Sequence, residues 1–262
     1  MRTATARPMA AQEYSAGELM VAAAAREIRD AEIVFVGMRL PLLAFAVAKR
    51  NHAPTAIGLF ENGVIRESPA RELLYTMGDP PNLAGATLAG TMLDVMGILQ
   101  QGRVHVGFLG AAEVDRFGNL NTTWGQREGR PVRLPGSGGA SDIACLAQRT
   151  VVLLEHTRRR LVERVSYITS PGNGAGADWR REQGLPARSG PAAVITTLGV
   201  LRFGPEGEAY LASVHPGVKL EELRENTGWE LRVAEGVAET QPPSKGELAA
   251  MREMDPQGFW TR

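Results

Sequence analysis

Ile33-Val34-Phe35-Val36-Gly37, Pro41-Leu42-Leu43-Ala44-Phe45-Ala46-Val47-Ala48-Lys49 and Thr55-Ala56-Ile57-Gly58-Leu59-Phe60 follow one another within a short stretch of the chain. The first is an unbroken apolar run with glycine behind it, which reads as a parallel strand buried on both faces. The second enters through a proline, tolerated in a first helical turn because the N–H it lacks has no partner there. The third is a strand again. Strand, helix, strand is the unit of a parallel sheet, and it sets the expected fold.

The same alternation extends outward. Ser15-Ala16-Gly17-Glu18 is a capping box, opening an Ala-rich helix to about residue 29 with Leu19, Ala22, Ala23 and Ile28 inward. Downstream, a helix is predicted over 91–100 and strands over 104–109, 150–155 and 192–198. A hairpin pairs 201–203 with 208–213 across Gly204-Pro205-Glu206-Gly207, and a helix over 220–226 stops at Gly228. The expectation is an α/β fold: an open, mostly parallel sheet flanked by helices, with a C-terminal hairpin. One domain over 15–262 is expected behind a flexible tail of residues 1–14. Gly-rich stretches 61–90, 116–140 and 170–190 read as long loops, the first two beyond the carboxyl ends of strands, where open sheets bind ligands.

Composition narrows the function. The chain has 262 residues, 29 Lys+Arg against 29 Asp+Glu, 44% hydrophobic residues and one cysteine. That apolar content excludes a disordered chain, and balanced charge argues against a nucleic-acid partner, which requires surplus cations. Cys145 alone rules out an intrachain disulfide framework and a cysteine-rich metal site. His52, His105, His156 and His215 lack metal-ligand spacing, so they read as structural and no metal is expected. The apolar run 19–25 is far shorter than the roughly 20 residues of a membrane helix, and the order of a signal peptide is missing. The reading is cytoplasmic, with no membrane partner. Lysine occurs only at Lys49, Lys219 and Lys245, an arginine bias attributed here to composition.

Two stretches carry candidate chemistry. Glu61-Asn62-Gly63 directly follows a strand, so a tight turn can project the carboxylate into a crevice, although an ordinary solvated turn fits the same residues. Gly136-Ser137-Gly138-Gly139-Ala140-Ser141-Asp142 lets backbone N–H groups converge on an anion or oxyanion, or packs a turn against a helix starting near Asp142. It is neither a nucleotide-binding P-loop nor a dinucleotide fingerprint. Asp115-Arg116-Phe117-Gly118-Asn119 fits an Asx-type turn, with Asn119 or Asn121 as alternative positioning amides. Arg66, Arg71, Arg127, Arg130 and Arg133 flank these stretches as candidate carboxylate partners, and Cys145 reads as an inert, buried thiol.

Together, Phe60-Glu61-Asn62-Gly63 and the glycine run resemble the family I coenzyme A transferases in their β-type subunit, nearest the glutaconate branch. Gly110-Ala111-Ala112-Glu113-Val114-Asp115, Thr197-Leu198-Gly199-Val200, His215-Pro216-Gly217-Val218 and Glu225-Asn226-Thr227-Gly228 extend the resemblance over about residues 15–260. It implies a CoA-transferase (NagB-like) fold and Glu61 as the nucleophile that becomes a glutamyl-CoA thioester. It also implies Gly138, Gly139, Asn62 and Asn119 as oxyanion or positioning groups, and Gly136, Ser137 and Ala140 against the substrate. No permanently bound cofactor is implied: a coenzyme A thioester is the substrate and a small carboxylic acid the acceptor. The implied partner is an α-type subunit, in a heterodimer, heterotetramer or larger, without which the chain is inactive. Phe60 and Ser141 depart from the small residue and the Met found in other branches. Relatives that have replaced the glutamate are thioester hydrolases or decarboxylases, so Glu61 favours transfer. The alternatives are a hydrolase, ring-opening lyase or decarboxylase, and a catalytically silent scaffold subunit.

Overall fold

The Ser15 capping box forms as the sequence reads: Glu18 N donates to Ser15 Oγ at 3.1 Å, and Ser15 N to Glu18 Oε2 at 2.8 Å. It opens α1 (Ala16–Ala25), which ends short of residue 29 because Glu27 N and Ile28 N bond three residues back and tighten the last turn. The computed structural model describes residues 13–262, so the expected tail lies almost wholly outside the described residues. Glu13, at its end, is anchored by Arg252, which donates to its carbonyl at 2.7 Å.

β1 (Ile33–Phe35), α2 (Leu40–Asn51) and β2 (Ile57–Leu59) realise the stretch that sets the fold, with β3 (Val64–Arg66), α3 (Pro80–Leu83) and β4 (Leu88–Ala89) after it. Next come α4 (Met92–Gln100), β5 (Val106–Leu109), β6 (Glu113–Asp115), β7 (Leu120–Asn121), β8 (Trp124–Arg127) and β9 (Arg130–Arg133). α5 (Ala140–Leu146), β10 (Arg149–Leu154), β11 (Leu161–Val162), α6 (Trp179–Glu182) and β12 (Pro191–Thr196) follow. The chain continues through β13 (Gly199–Phe203), β14 (Ala209–Val214), α7 (Leu220–Glu225), β15 (Arg232–Glu239) and α8 (Lys245–Met254).

Ten strands form the main sheet, in the order β15-β14-β13-β12-β10-β5-β1-β2-β3-β4. Its centre, β12-β10-β5-β1-β2, is parallel throughout, and the antiparallel hairpins β2–β3 and β12–β13 extend it on either side. The expected C-terminal hairpin is β13–β14. Both faces are covered, as near-continuous apolar strands require. On β10, Val151 and Leu153 face the α1, α2 and α8 layer, whereas Val152 and Leu154 face α4 and α5. This period of two puts a core on each side of the sheet.

The three Gly-rich stretches are less bare than expected. The first holds β3, α3 and β4, the second β7, β8 and β9, and the third α6. Two of these strands have only two residues, too few to show a period. β11, β15 and α8 were also not anticipated, although Ser244 and Glu247 repeat the capping box that marked α1.

Candidate active site

Phe60 to Gly63 make the turn of the β2–β3 hairpin: Gly63 N donates to Phe60 O at 2.9 Å, and Phe60 N to Val64 O at 2.8 Å. Gly63 has φ +102°, and a Cβ there would lie 2.5 Å from the Thr91 carbonyl carbon, so the position needs glycine for both conformation and space. Phe60 is buried in the core, which fixes the strand end and lifts Glu61 onto the turn. Asn62 sends its amide away from Glu61, donating to Met77 O at 2.7 Å and so pinning the chain that leads to α3.

The glycine run comes to meet this turn. Gly136 N donates to Thr122 O at 2.8 Å, Gly138 takes φ +51°, and Ala140 N donates to Ser137 O at 3.0 Å as α5 begins. Gly139 N donates to Glu61 Oε1 at 2.9 Å. A Cβ on Gly139 would stand 3.2 Å from Glu61 Cδ, and one on Gly138 would stand 3.4 Å from Oε1. The half-buried carboxylate thus rests directly on peptide backbone, with the Met96 methyl of α4 alongside. Its Oε2 has no hydrogen-bond partner among the described residues. A carboxylate held by one amide with its other oxygen free can attack an electrophilic carbonyl, and the same amide can bond the oxyanion that results.

The remaining sequence candidates are placed differently. Asn119 is fully buried, and its amide donates to Asp115 Oδ2 and Gly174 O, while Gly172 N and Gly174 N bond its oxygen. Its role is to lock two loops together, and no donor remains for an oxyanion. Asp115 Oδ1 accepts from Phe117 N at 3.0 Å, the bond of an Asx turn, and burial pushes its carboxyl above the ordinary range against four opposing hydrogen bonds. Asn121 is likewise occupied, by Glu113 and by backbone around Trp124.

Arg66 is the departure among the arginines. It is 1% exposed and donates to the carbonyls of Ser68, Pro69, Pro81, Asn82 and Ala84, so it organises the chain between β3 and β4 instead of binding a ligand. Arg71, Arg130 and Arg133 are exposed, Arg133 stacking 5.2 Å over Trp124, and the side chain of Arg127 lies outside the described residues. Arg180, which sequence reasoning missed, ties the third Gly-rich stretch to the last turn of α5 by donating to Gly172 O, Ala144 O and Cys145 O. Cys145 beside it is half-buried, and burial raises its thiol pKa. Met96 carries no sequence signal beyond helical spacing.

A sequence description of the coenzyme A transferase family matches residues 18–226. The chain is similar to one subunit of the 3-oxoadipate CoA-transferase of Pseudomonas knackmussii, with 42% identity over 92% of this chain and 94% of the relative. Among solved structures it resembles the glutaconate coenzyme A-transferase of Acidaminococcus fermentans, with TM-score 0.87, 30% identity and coverage of 95% of this chain and 98% of the other. It also resembles the decarboxylase AibA/AibB, with TM-score 0.81, 30% identity and coverage of 94% and 97%. By sequence and by fold alike, the chain belongs to the coenzyme A transferase family.

Proposed function

We propose that this chain is the β-type subunit of a heteromeric coenzyme A transferase and that Glu61 is its covalent nucleophile. The observation that supports the reading is the 2.9 Å hydrogen bond from Gly139 N to Glu61 Oε1, which holds a carboxylate against a backbone donor. Glu61 attacks the thioester carbonyl of an acyl-CoA, giving a mixed anhydride and free CoA thiolate. The thiolate attacks the glutamyl carbonyl, forming the enzyme–CoA thioester and releasing the first acid. The acceptor carboxylate then attacks that thioester, and the sequence runs in reverse to give the new acyl-CoA and free Glu61. Each tetrahedral oxyanion needs a donor already in place, which the Gly139 N–H provides. The 3-oxoadipate and glutaconate relatives are each named as one subunit of a larger transferase, which supports an α-type partner that completes the site.

The test uses the chain co-purified with that partner. Intact-mass analysis after mixing with an acyl-CoA is expected to show a CoA adduct on this chain that maps to Glu61 and is released by hydroxylamine. Glu61→Ala is expected to lose the adduct and at least about 1,000-fold in kcat, roughly 4 kcal/mol of barrier. Thioester turnover without an adduct would replace transfer by hydrolysis, lyase chemistry or decarboxylation, with Glu61 as general base. No turnover across a broad acyl-CoA panel would leave a scaffold subunit.

A further inference from the structure

The Glu61 carboxylate lies between two helices that reach it by different routes. On one side α5 begins at Gly139, whose N–H holds Oε1. On the other, the start of α4 is tied to the Glu61 turn, because Gly90 N donates to Gly63 O at 3.1 Å, one residue before the Thr91 cap. Thr91 N donates to Asp94 Oδ2 at 2.7 Å, and Val95 and Leu99 are buried in the core on that face of the sheet. The helix is therefore fixed both at its end and along its inner side.

That placement decides where Met96 goes. It is half-buried, packs against the core shared by α4 and α5, and brings its Cε to 3.5 Å from the point where a Gly139 Cβ would stand. Glu61 Cδ and Oε1 each lie 3.2 Å from the same point, so carboxylate and methyl close on one small space. The polar side chains that flank them on the turn and on α4 are engaged elsewhere. Asn62 donates to Met77 O, and Asp94 is bound by the Thr91 cap. Among the described residues, the Gly139 N–H is the one group hydrogen-bonded to Glu61. Met92 and Leu93, four and three residues before Met96, stand on the same face of α4 and are exposed. From Met96 outward these side chains offer no partner to a water molecule, which needs about two to four to be held in place.

We propose that Met96 sets the partition between transfer and hydrolysis, by keeping water off the α4 side of the Glu61 thioester until an acceptor carboxylate arrives. The inference rests on the reading of Glu61 given above and adds the residue that separates two outcomes at one carboxylate. In hydrolysis, a water oxygen adds to the glutamyl carbonyl and the carbon–sulfur bond breaks. CoA leaves as the thiol with one water proton, Glu61 returns as carboxylate, and the second proton passes to solvent. An apolar wall hinders that attack by denying the water a place to bind, whereas the acceptor acid brings its own nucleophilic oxygen.

The lifetime of the CoA adduct in the α–β complex tests this. The complex is loaded with whichever acyl-CoA of the panel labels the parent most fully, freed of excess acyl-CoA and acid, and followed by intact mass without acceptor. Met96→Gln keeps the length of the side chain and adds hydrogen-bonding groups. It is expected to shorten the adduct lifetime at least about tenfold and to raise the ratio of hydrolysed to transferred thioester by a like factor. Met96→Leu restores an apolar wall and is expected to bring both quantities within about threefold of the parent. Met96→Ala opens room for water, is expected to behave as Met96→Gln does, and covers the case in which the glutamine variant does not assemble. A lifetime unchanged in Met96→Gln and Met96→Ala overturns the proposal. So does a loss as large in Met96→Leu, because apolarity is then not the property that matters. A parent complex that forms no adduct overturns the reading of Glu61 and this inference with it, whereas an adduct equally long-lived in parent and variants overturns this inference alone.

Discussion

At Gly139 a missing side-chain carbon decides where a carboxylate can rest. A Cβ there would press on Glu61 Cδ at 3.2 Å, inside ordinary van der Waals contact, while leaving the backbone N–H intact. Gly139→Ala is therefore expected to lower kcat by about 10- to 100-fold through displacement of the proposed nucleophile, since an ångström of misplacement costs about that much. A thermal melt within a few degrees of the parent would show that the effect is local, and unchanged kcat would remove Gly139 from the site. Arg66 makes the contrasting case. Among the described residues its carbonyl partners have no other cation, so Arg66→Met is expected to cost about 3 kcal/mol or more by stranding buried acceptors. In a chain this long that amounts to roughly 6–12 °C in Tm. Arg66→Lys should recover little, because one ammonium cannot serve carbonyls arrayed around a planar fork. The turn that carries Glu61 was legible in the sequence because strand end, Asn and Gly are neighbours. The work of Arg66 and Arg180 was not legible, since their acceptors are carbonyls, which every residue carries.

Between β12, the β13–β14 hairpin and α7, two buried histidines tie elements together through hydroxyl groups. His156 bonds Thr196 Oγ1 at 2.8 Å and Thr227 Oγ1 at 3.1 Å, and His215 bonds Thr240 Oγ1 at 2.9 Å and Thr196 O at 2.8 Å. Burial pushes both rings down to about 4 from an ordinary value of 6.5. Between those values the unfolded chain takes up protons that the folded one refuses, so stability is full above pH 6.5 and falls as pH drops toward 4. Two and a half units in each ring set an upper bound on the order of 3 kcal/mol per histidine. Urea midpoints between pH 7 and 4.5 check this, and a flat profile would show that the rings titrate normally. The histidines were expected to be structural, and their partners supply the reason. Short elements escaped the sequence for a different cause. β8 and β9 turn through Glu128 and Gly129 at φ +52° and +74°, a two-residue turn whose usual signature, Asn-Gly, is absent.

Across the whole molecule the two ends of the described chain are clasped together. Arg26 pairs with Glu247 at 2.7 Å, Arg252 with Glu18 at 2.7 Å, and Ser15 Oγ donates to Thr261 O at 2.6 Å. Burial works against ionisation of Glu18 and Glu247, yet their arginine and backbone bonds keep both carboxyls below the ordinary range. Gly17 permits the closure, for a Cβ on it would lie 2.3 Å from Thr261 O. Gly17→Ala is expected to pry the last residues from α1, lowering Tm by roughly 4–8 °C for about 2 kcal/mol and exposing the C-terminal segment to limited proteolysis. A melt and digest like the parent's would show that the segment shifts at no cost. The sequence by itself determined the alternating strands and helices, the burial of the central strands on both faces, the Ser15 cap and the Glu61 turn. Each of these follows from periodicity or backbone preference acting over a few neighbouring residues. Only the tertiary structure decided that Gly139, 78 residues further on, meets Glu61, that Asn119 and Asn62 face elsewhere, and that Met96 stands beside that carboxylate. Those encounters depend on strand order, on register and on which face each crossover takes, and such long-range choices leave no local pattern in the chain.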